Sequence, residues 1–271
     1  MKTVLTIAGS DCSGGAGIQA DLKTMMAHHV YGMSAITSLT AQNTSGVSAI
    51  MDVTPEFLEE QLEAVFQDIF PDAVKIGMVS QKELIFVIKE KLDKYKPKNI
   101  VIDPVMISTS GTKLIKEDAI CALKEVLIPM ADIVTPNIPE AEFLTGISIQ
   151  TREDMQKAAQ QISEKYKVSV LLKGGHSMWD ANDLLYEKDY CDWICAPRIQ
   201  NTNTHGTGCT LSSAIACNLA KETGKKNAVI FAKNYVTKAL QANLKLGTGS
   251  GPLDHAFAID GMYELGFTEK R

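Results

Sequence analysis

Thr204-His205-Gly206-Thr207-Gly208-Cys209-Thr210 runs directly into the apolar-periodic segment Leu211-Ser212-Ser213-Ala214-Ile215-Ala216. Two glycines permit a tight turn in which backbone N–H groups converge. A helix starting at that turn adds unpaired amides and the positive end of its dipole, and together these hold an anion. Cys209 stands at the same N-terminus, where the dipole favours the thiolate. A phosphate cradle with a candidate base inside it implies phosphoryl transfer.

Other loops carry residues suited to the same chemistry. Gly9-Ser10-Asp11-Cys12-Ser13-Gly14-Gly15-Ala16-Gly17 contains neither a G-x-G-x-x-G fingerprint nor the Gly-Lys-Ser/Thr of a Walker A loop. Its glycines let a small ligand approach the backbone, with Asp21 on the helix that follows; a flexible turn is the plainer reading. Gln42 offers a donor and an acceptor together, which suits the edge of a heterocycle. Asp103, before Pro104, could organise a metal–phosphate site or serve only as a turn carboxylate. In Pro136-Asn137-Ile138-Pro139-Glu140-Ala141-Glu142 a carboxylate could hold Mg²⁺ through water, while Asn137 is equally placed to cap a helix. Lys173, followed by Gly174-Gly175-His176, is placed to neutralise a transferring phosphate. Met78 and Met106 end strands where a substrate would lie.

These loops need a scaffold, and the apolar pattern supplies one. Val4–Ala8, Ser34–Thr40, Val47–Val53, Ala73–Ile76, Ile100–Ile102, Ile133–Val134 and Val168–Leu172 read as strands. Helical spacing appears through Ile18, Leu22 and Met25, from Pro55 through Phe66, and at Leu84, Ile88 and Leu92. Two long helical segments follow, Thr210–Lys221 and Asn227–Lys245, after one or two antiparallel strands between Asp183 and Ile199. The alternation predicts an α/β fold with a parallel sheet and helices on both faces. The polar loops then fall at the carboxyl ends of the strands, where ligands gather in such sheets. No repeat, low-complexity tract or linker interrupts the chain, which reads as one domain over 1–271.

The 271 residues are 45% hydrophobic and 22% charged, with a net charge of −5. That charge excludes an electrostatic case for nucleic acid or an anionic membrane as partner. No apolar run reaches membrane-spanning length, and the first residues read as a strand rather than a secretory leader, so the cytoplasm is expected. The six cysteines form no C-x-x-C pair. Cys121 and Cys217 lie in apolar helical patterns and are expected to be buried thiols. The five histidines form no metal set.

Taken together, these motifs resemble the hydroxymethylpyrimidine/phosphomethylpyrimidine kinase family of thiamine biosynthesis, in the ribokinase-like superfamily. The resemblance runs from Ala8–Asp21 through Leu39–Thr44, Lys75–Met78, Asp103–Met106, Thr135–Asn137 and Lys173–His176 to His205–Thr210. It implies a ribokinase-like three-layer α/β/α fold with a mostly parallel central sheet and no separate lid domain. It also implies a homodimer, ATP as donor, Mg²⁺ as bridging ion with K⁺ as a further candidate, and two successive phosphorylations of a small molecule. Carried over residue by residue, Gly9, Asp21, Gln42, Met78 and Val105 would hold the pyrimidine. Asn137 and Thr207 would meet the nucleotide, Glu140 and Asp103 the metal, and Lys173 the ATP phosphates. Gly206 and Gly208 would form the anion hole, with Cys209 as base where many ribokinase-like sugar kinases have Asp. The loop Ile107–Thr112 reads as a flap that lacks the lysine common in the family and the second cysteine of some related pyridoxal kinases. The nearest rival is a pyridoxine/pyridoxal kinase on the same scaffold. A non-catalytic binding protein would have to lose the anion hole, the lysine or the carboxylate, and all three are present.

Overall fold

A computed structural model describes residues 1–106, 115–175, 181–188 and 190–259; the expectations for the flap at 107–112 and for His176 lie outside them. Its strands are β1 (Thr3–Asp11), β2 (Tyr31–Asn43), β3 (Gly46–Asp52), β4 (Ala73–Ile76), β5 (Ile100–Ile102), β6 (Ile133–Val134), β7 (Ser169–Leu172), β8 (Asp183–Glu187) and β9 (Tyr190–Ile194). The helices are α1 (Gly17–Ala27), α2 (Pro55–Asp68), α3 (Lys82–Tyr95), α4 (Glu117–Ala122), α5 (Ile138–Thr145), α6 (Arg152–Tyr166), α7 (Thr207–Ala220) and α8 (Lys225–Gln241). A π-turn at Leu123–Leu127 and a 3₁₀ turn at Ile128–Met130 carry α4 towards β6. The last helix ends at Gln241, short of the expected Lys245.

One sheet holds all nine strands in the order β3-β2-β1-β4-β5-β6-β7-β8-β9. From β2 to β7 every neighbour is parallel; β3, β8 and β9 are antiparallel additions at the two edges. Side chains alternate across the sheet, and the short central strands spend both sets on core. Leu5, Ile7, Val74, Ile76, Ile100, Ile102, Val134 and Val170 face the layer of α2–α6. Val4, Ala73, Val101, Ile133 and Leu171 face α1, α7 and α8. Strands buried on both faces read as continuous apolar runs, which is why they are legible in the sequence.

The caps are equally local in origin. Thr54 accepts from Phe57 N, with Pro55 opening α2. Asn137 and Glu140 form a capping box at α5, and Thr151 with Asp154 forms another at α6. The chain leaves β1 for β2 on one side and β4 on the other. The reversal of strand order at β1/β4 opens a crevice at their carboxyl ends.

Candidate active site

Along those carboxyl ends runs a cleft of about 1290 Å³. Gly9, Gln42, Met78 and Val105 line it beside the crevice; Asp103, Asn137, Glu140 and Lys173 line it at β5–β7; Gly206, Thr207, Gly208 and Cys209 line it from α7. The structure thus brings together every expected site residue but one. Asp21 is fully buried behind the wall, and its carboxylate is taken by Lys75, Thr6 and Ser213. The expected contact of Asp21 with a pyrimidine is therefore not made: a saturated carboxylate without exposure has nothing to offer a ligand.

Gly206 adopts a left-handed φ of 80° and caps α7. A Cβ there would overlap the carbonyl oxygen of Gly15, so the turn before α7 and the glycine loop after β1 touch backbone to backbone. Thr207 N bonds Thr204 O and Thr210 N bonds Gly206 O, leaving the Gly208 and Cys209 amides as first-turn donors for a ligand. A Cβ on Gly208 would stand 3.4 Å from both Asp103 Oδ2 and Lys173 Nζ, which places that first turn directly over the ion pair.

Lys173 Nζ lies 2.8 Å from Asp103 Oδ1 and 4.0 Å from Glu140 Oε2. Burial opposes its charge, but Asp103 and Glu140 outweigh it and hold the ammonium above the usual lysine range. Asp103 also accepts from Thr135 Oγ1 and Ser212 Oγ. Without a ligand it is the partner of Lys173. Asn137 accepts from Glu140 N and donates its own N–H to Glu140 Oε2, so the capping alternative is realised. Burial pushes the Glu140 carboxyl up to about 7, with Lys173 opposing and Asp103 adding to the rise.

Cys209 is half-buried on the cleft wall. Burial pushes its thiol up to about 11, against the attraction of Lys75 and the N–H of Gly17, with Asp21 and Asp103 reinforcing the rise. The helix terminus alone does not produce a thiolate here, contrary to expectation, because the loss of solvent outweighs the dipole. Cys217 is buried as expected, but Cys121 is exposed on the rim of the cleft. Its helix α4 is a short one at that rim, and Ala119 and Ala122 face the core instead.

Several site residues had no expected role. His205 lies 2.7 Å from Asp11 Oδ2 and 3.3 Å from the Gln42 amide nitrogen. Asp11 also accepts from the N–H groups of Ser13, Gly15 and Ala16, and so shapes the glycine loop. Burial works against its charge, yet the bonds from His205, Ser13 and Ala16 lower its carboxyl to about 2. Lys75 reaches the cleft floor, while Arg198 and Lys233 line the far end. A lysine inside the four-residue buried strand Ala73-Val74-Lys75-Ile76 was the available signal for the first.

Known proteins resemble the chain over most of its length. The phosphomethylpyrimidine kinase family model matches residues 11–254. The hydroxymethylpyrimidine/phosphomethylpyrimidine kinase of Rhizobium meliloti is 49% identical over 255 residues, 93% of this chain and 96% of that protein. The thiamine biosynthesis bifunctional protein ThiED of Geobacter sulfurreducens is 48% identical over 259 residues; the match takes in 95% of this chain but spans only 53% of that longer protein. Among solved structures, phosphomethylpyrimidine kinase from Clostridium difficile 630 superposes with a TM-score of 0.80 at 50% identity, covering 88% of this chain and 99% of that one. Pyridoxal kinase from Staphylococcus aureus in complex with AMP-PCP and pyridoxal gives 0.87 at 35% identity, covering 95% and 94%.

Proposed function

The chain belongs to the phosphomethylpyrimidine kinase family, and we propose that it phosphorylates 4-amino-5-hydroxymethyl-2-methylpyrimidine and then its monophosphate, with ATP as donor, in thiamine biosynthesis. The observation that carries this reading is Cys209 in the first turn of α7. It lines the same cleft as Gln42 and the Asp103–Lys173 pair.

In the proposed reaction the substrate hydroxymethyl oxygen attacks the γ-phosphorus. Its O–H proton passes to the Cys209 sulfur in the ionised form that Lys75 and the Gly17 N–H favour against burial; a new O–P bond forms, and the bond from phosphorus to the ADP oxygen breaks. The Gly208 and Cys209 amides and the Lys173 ammonium face the charge that develops on the phosphoryl oxygens. Gln42, half-buried beside His205, offers its amide to the ring edge, and Gly9, Met78 and Val105 form the surface on which the ring lies. Asn137 and Thr207 stand where nucleotide phosphates would approach.

Glu140 fits a hard divalent cation. Among the described residues no group of three or more His, Cys, Asp or Glu forms a metal cage of its own. Mg²⁺ needs none, because it keeps water and phosphate ligands and takes only one or two carboxylates from protein. Bound there, Mg²⁺ would neutralise phosphate oxygens. A cytoplasmic homodimer, with K⁺ as a further ion, belongs to the same proposal; sedimentation velocity and omission of K⁺ from the assay test the dimer and the ion.

A pyridoxal kinase is the second reading, favoured by the superposition on the Staphylococcus aureus enzyme. The higher identity to pyrimidine kinases weighs against it. ADP release with Mg-ATP, offering hydroxymethylpyrimidine, its monophosphate and pyridoxal in parallel, decides between them. Turnover of the monophosphate is expected, and turnover of pyridoxal alone would move the chain to the second reading. Cys209→Ala is expected to bind ATP and lose turnover; undiminished turnover removes the base assignment.

A further inference from the structure

One turn along α7 from Cys209, Ser213 is bonded to an ion pair that the reaction outlined above does not use. Lys75 and Asp21 are both fully buried, with Nζ 2.8 Å from Oδ2 and 3.0 Å from Oδ1. The pair joins three layers of the fold. Lys75 comes from β4, in register with Thr6 of β1; Asp21 comes from α1; Ser213 comes from α7, four residues beyond Cys209. Thr6 Oγ1 and Ser213 Oγ each donate to the carboxylate at 2.6 Å, so with the two lysine bonds its oxygens are filled.

The ammonium is not filled. A lysine carries three donors, and among the described residues only the two oxygens of Asp21 accept from Lys75. Lys75 belongs to the cleft lining, yet its side chain is fully buried, so the remaining donor is shut off from solvent. The ammonium curls over the end of β4, where a Cβ on Gly77 would lie 2.7 Å from Nζ. After Asp21, its strongest attraction is to an ionised Cys209.

An isolated buried ion pair is weak ground for stability, since desolvation consumes much of the attraction. This pair also ties a buried cation, through Asp21 and Ser213, to the helix face one turn beyond Cys209. We propose that Lys75 and Asp21 are positioning residues that set the ionisation of Cys209. Lys75 supplies the positive charge that permits a thiolate, and Asp21 moderates that charge by sharing it. Lys75 keeps its proton throughout, and the thiolate alone takes the substrate proton. Other groups act on the sulfur as well: the Gly17 N–H from α1 favours the thiolate, Asp103 beyond β5 opposes it, and Lys173 beyond β7 favours it. None of these is bound to Lys75. The inference rests on the base reading of Cys209.

The two members of the pair then act on the thiol with opposite signs, which a packing role cannot reproduce. The test is the carbamidomethylation rate of Cys209 by iodoacetamide, read by mass spectrometry of its peptide across pH 7 to 10 in ligand-free enzyme. The rate follows the thiolate fraction, so at a pH below the thiol's titration a pKa lower by one means a rate about tenfold higher. Asp21→Asn is expected to raise the rate at least tenfold, Lys75→Met to lower it at least tenfold, and Lys75→Arg to hold it within about threefold. The rising limb of kcat with pH, which reports ionisation of the base, should move to lower pH in Asp21→Asn and to higher pH in Lys75→Met. If loosened packing were the cause, Asp21→Asn and Lys75→Met would both raise the rate, and that result overturns the proposal. Should Lys75→Met not fold, a rate for Asp21→Asn within twofold of wild type overturns it by itself. Undiminished turnover of Cys209→Ala sinks the base reading, whereas unchanged alkylation across the variants sinks this inference alone.

Discussion

Lys173 Nζ and Asp103 Oδ1 are 2.8 Å apart directly below the first turn of α7. The carboxylate fixes the lysine in place before any ligand arrives, so its charge costs no reorganisation during transfer. Lys173→Met is expected to lower kcat roughly 100- to 1,000-fold, the usual range for removing one preorganised charge-stabilising group. The KM for the pyrimidine should stay within about threefold, since the proposal seats that ligand against Gly9, Gln42, Met78 and Val105. Steady-state kinetics with the pyrimidine varied at saturating ATP checks both.

Two neighbouring glycines should behave oppositely. Gly206 has a left-handed φ and no room for a Cβ beside Gly15. Gly206→Ala is expected to destabilise the fold by about 3 kcal/mol or more, combining backbone strain with overpacking. Gly208 is helical and meets only ordinary contacts at 3.4 Å. Gly208→Ala should keep the melting temperature, gaining some helix propensity, yet lose turnover, because its methyl group stands over the Asp103–Lys173 pair. Calorimetry and turnover on both variants separate the two effects.

Glu140 gives the ligand-free enzyme a pH signature. Its folded value of about 7 exceeds the ordinary 4.5, so the fold favours the protonated carboxyl. The stability this provides is complete below about pH 4.5 and is lost as pH climbs through 7, on the order of 3 kcal/mol in all. The melting temperature of wild type relative to Glu140→Gln should therefore fall between pH 5 and 8. A difference that is flat, or that grows with pH, contradicts the assignment.

Asp11 has the opposite sign. Its carboxyl is lowered from 3.8 to about 2, so its contribution is present above pH 4 and disappears as pH falls through 2. Asp11→Asn should cost about 2 kcal/mol at pH 7, with the gap closing in acid. Urea unfolding at pH 7 and pH 3 measures this. The same variant loosens the glycine loop and the support of His205 beside Gln42, so the KM for the pyrimidine should rise.

The scaffold was largely legible in the sequence because its central strands are buried on both faces. Ile100–Ile102 and Ile133–Val134 could be located from apolar runs alone. Helix α6 had no expectation, although Met155, Ala158, Ala159, Ile162 and Tyr166 mark it by spacing. The cleft residues were legible because they stand near the carboxyl ends of strands or, like Gly206–Cys209 and Glu140, at the starts of helices. What the sequence hides is pairing across distance. Nothing local says that Asp21 meets Lys75, that Asp11 meets His205, or that burial outweighs a helix dipole at Cys209. Those outcomes depend on which side chains from separate layers share a desolvated space. Cys121 failed for a related reason: its neighbours are apolar, but the turn of α4 carries it to the rim.

The backbone contact between Gly15 and Gly206 sets the glycine loop against the turn before α7 with no side chain between them. A pyrimidine pressing on the first has no compliant side chain to absorb the push before it reaches the second. Each ligand is thus expected to bind more tightly when the other is present, as calorimetric titration of one against the other would register. Synergy of that kind would need no lid and no long-range relay, since the two halves of the cleft share one wall.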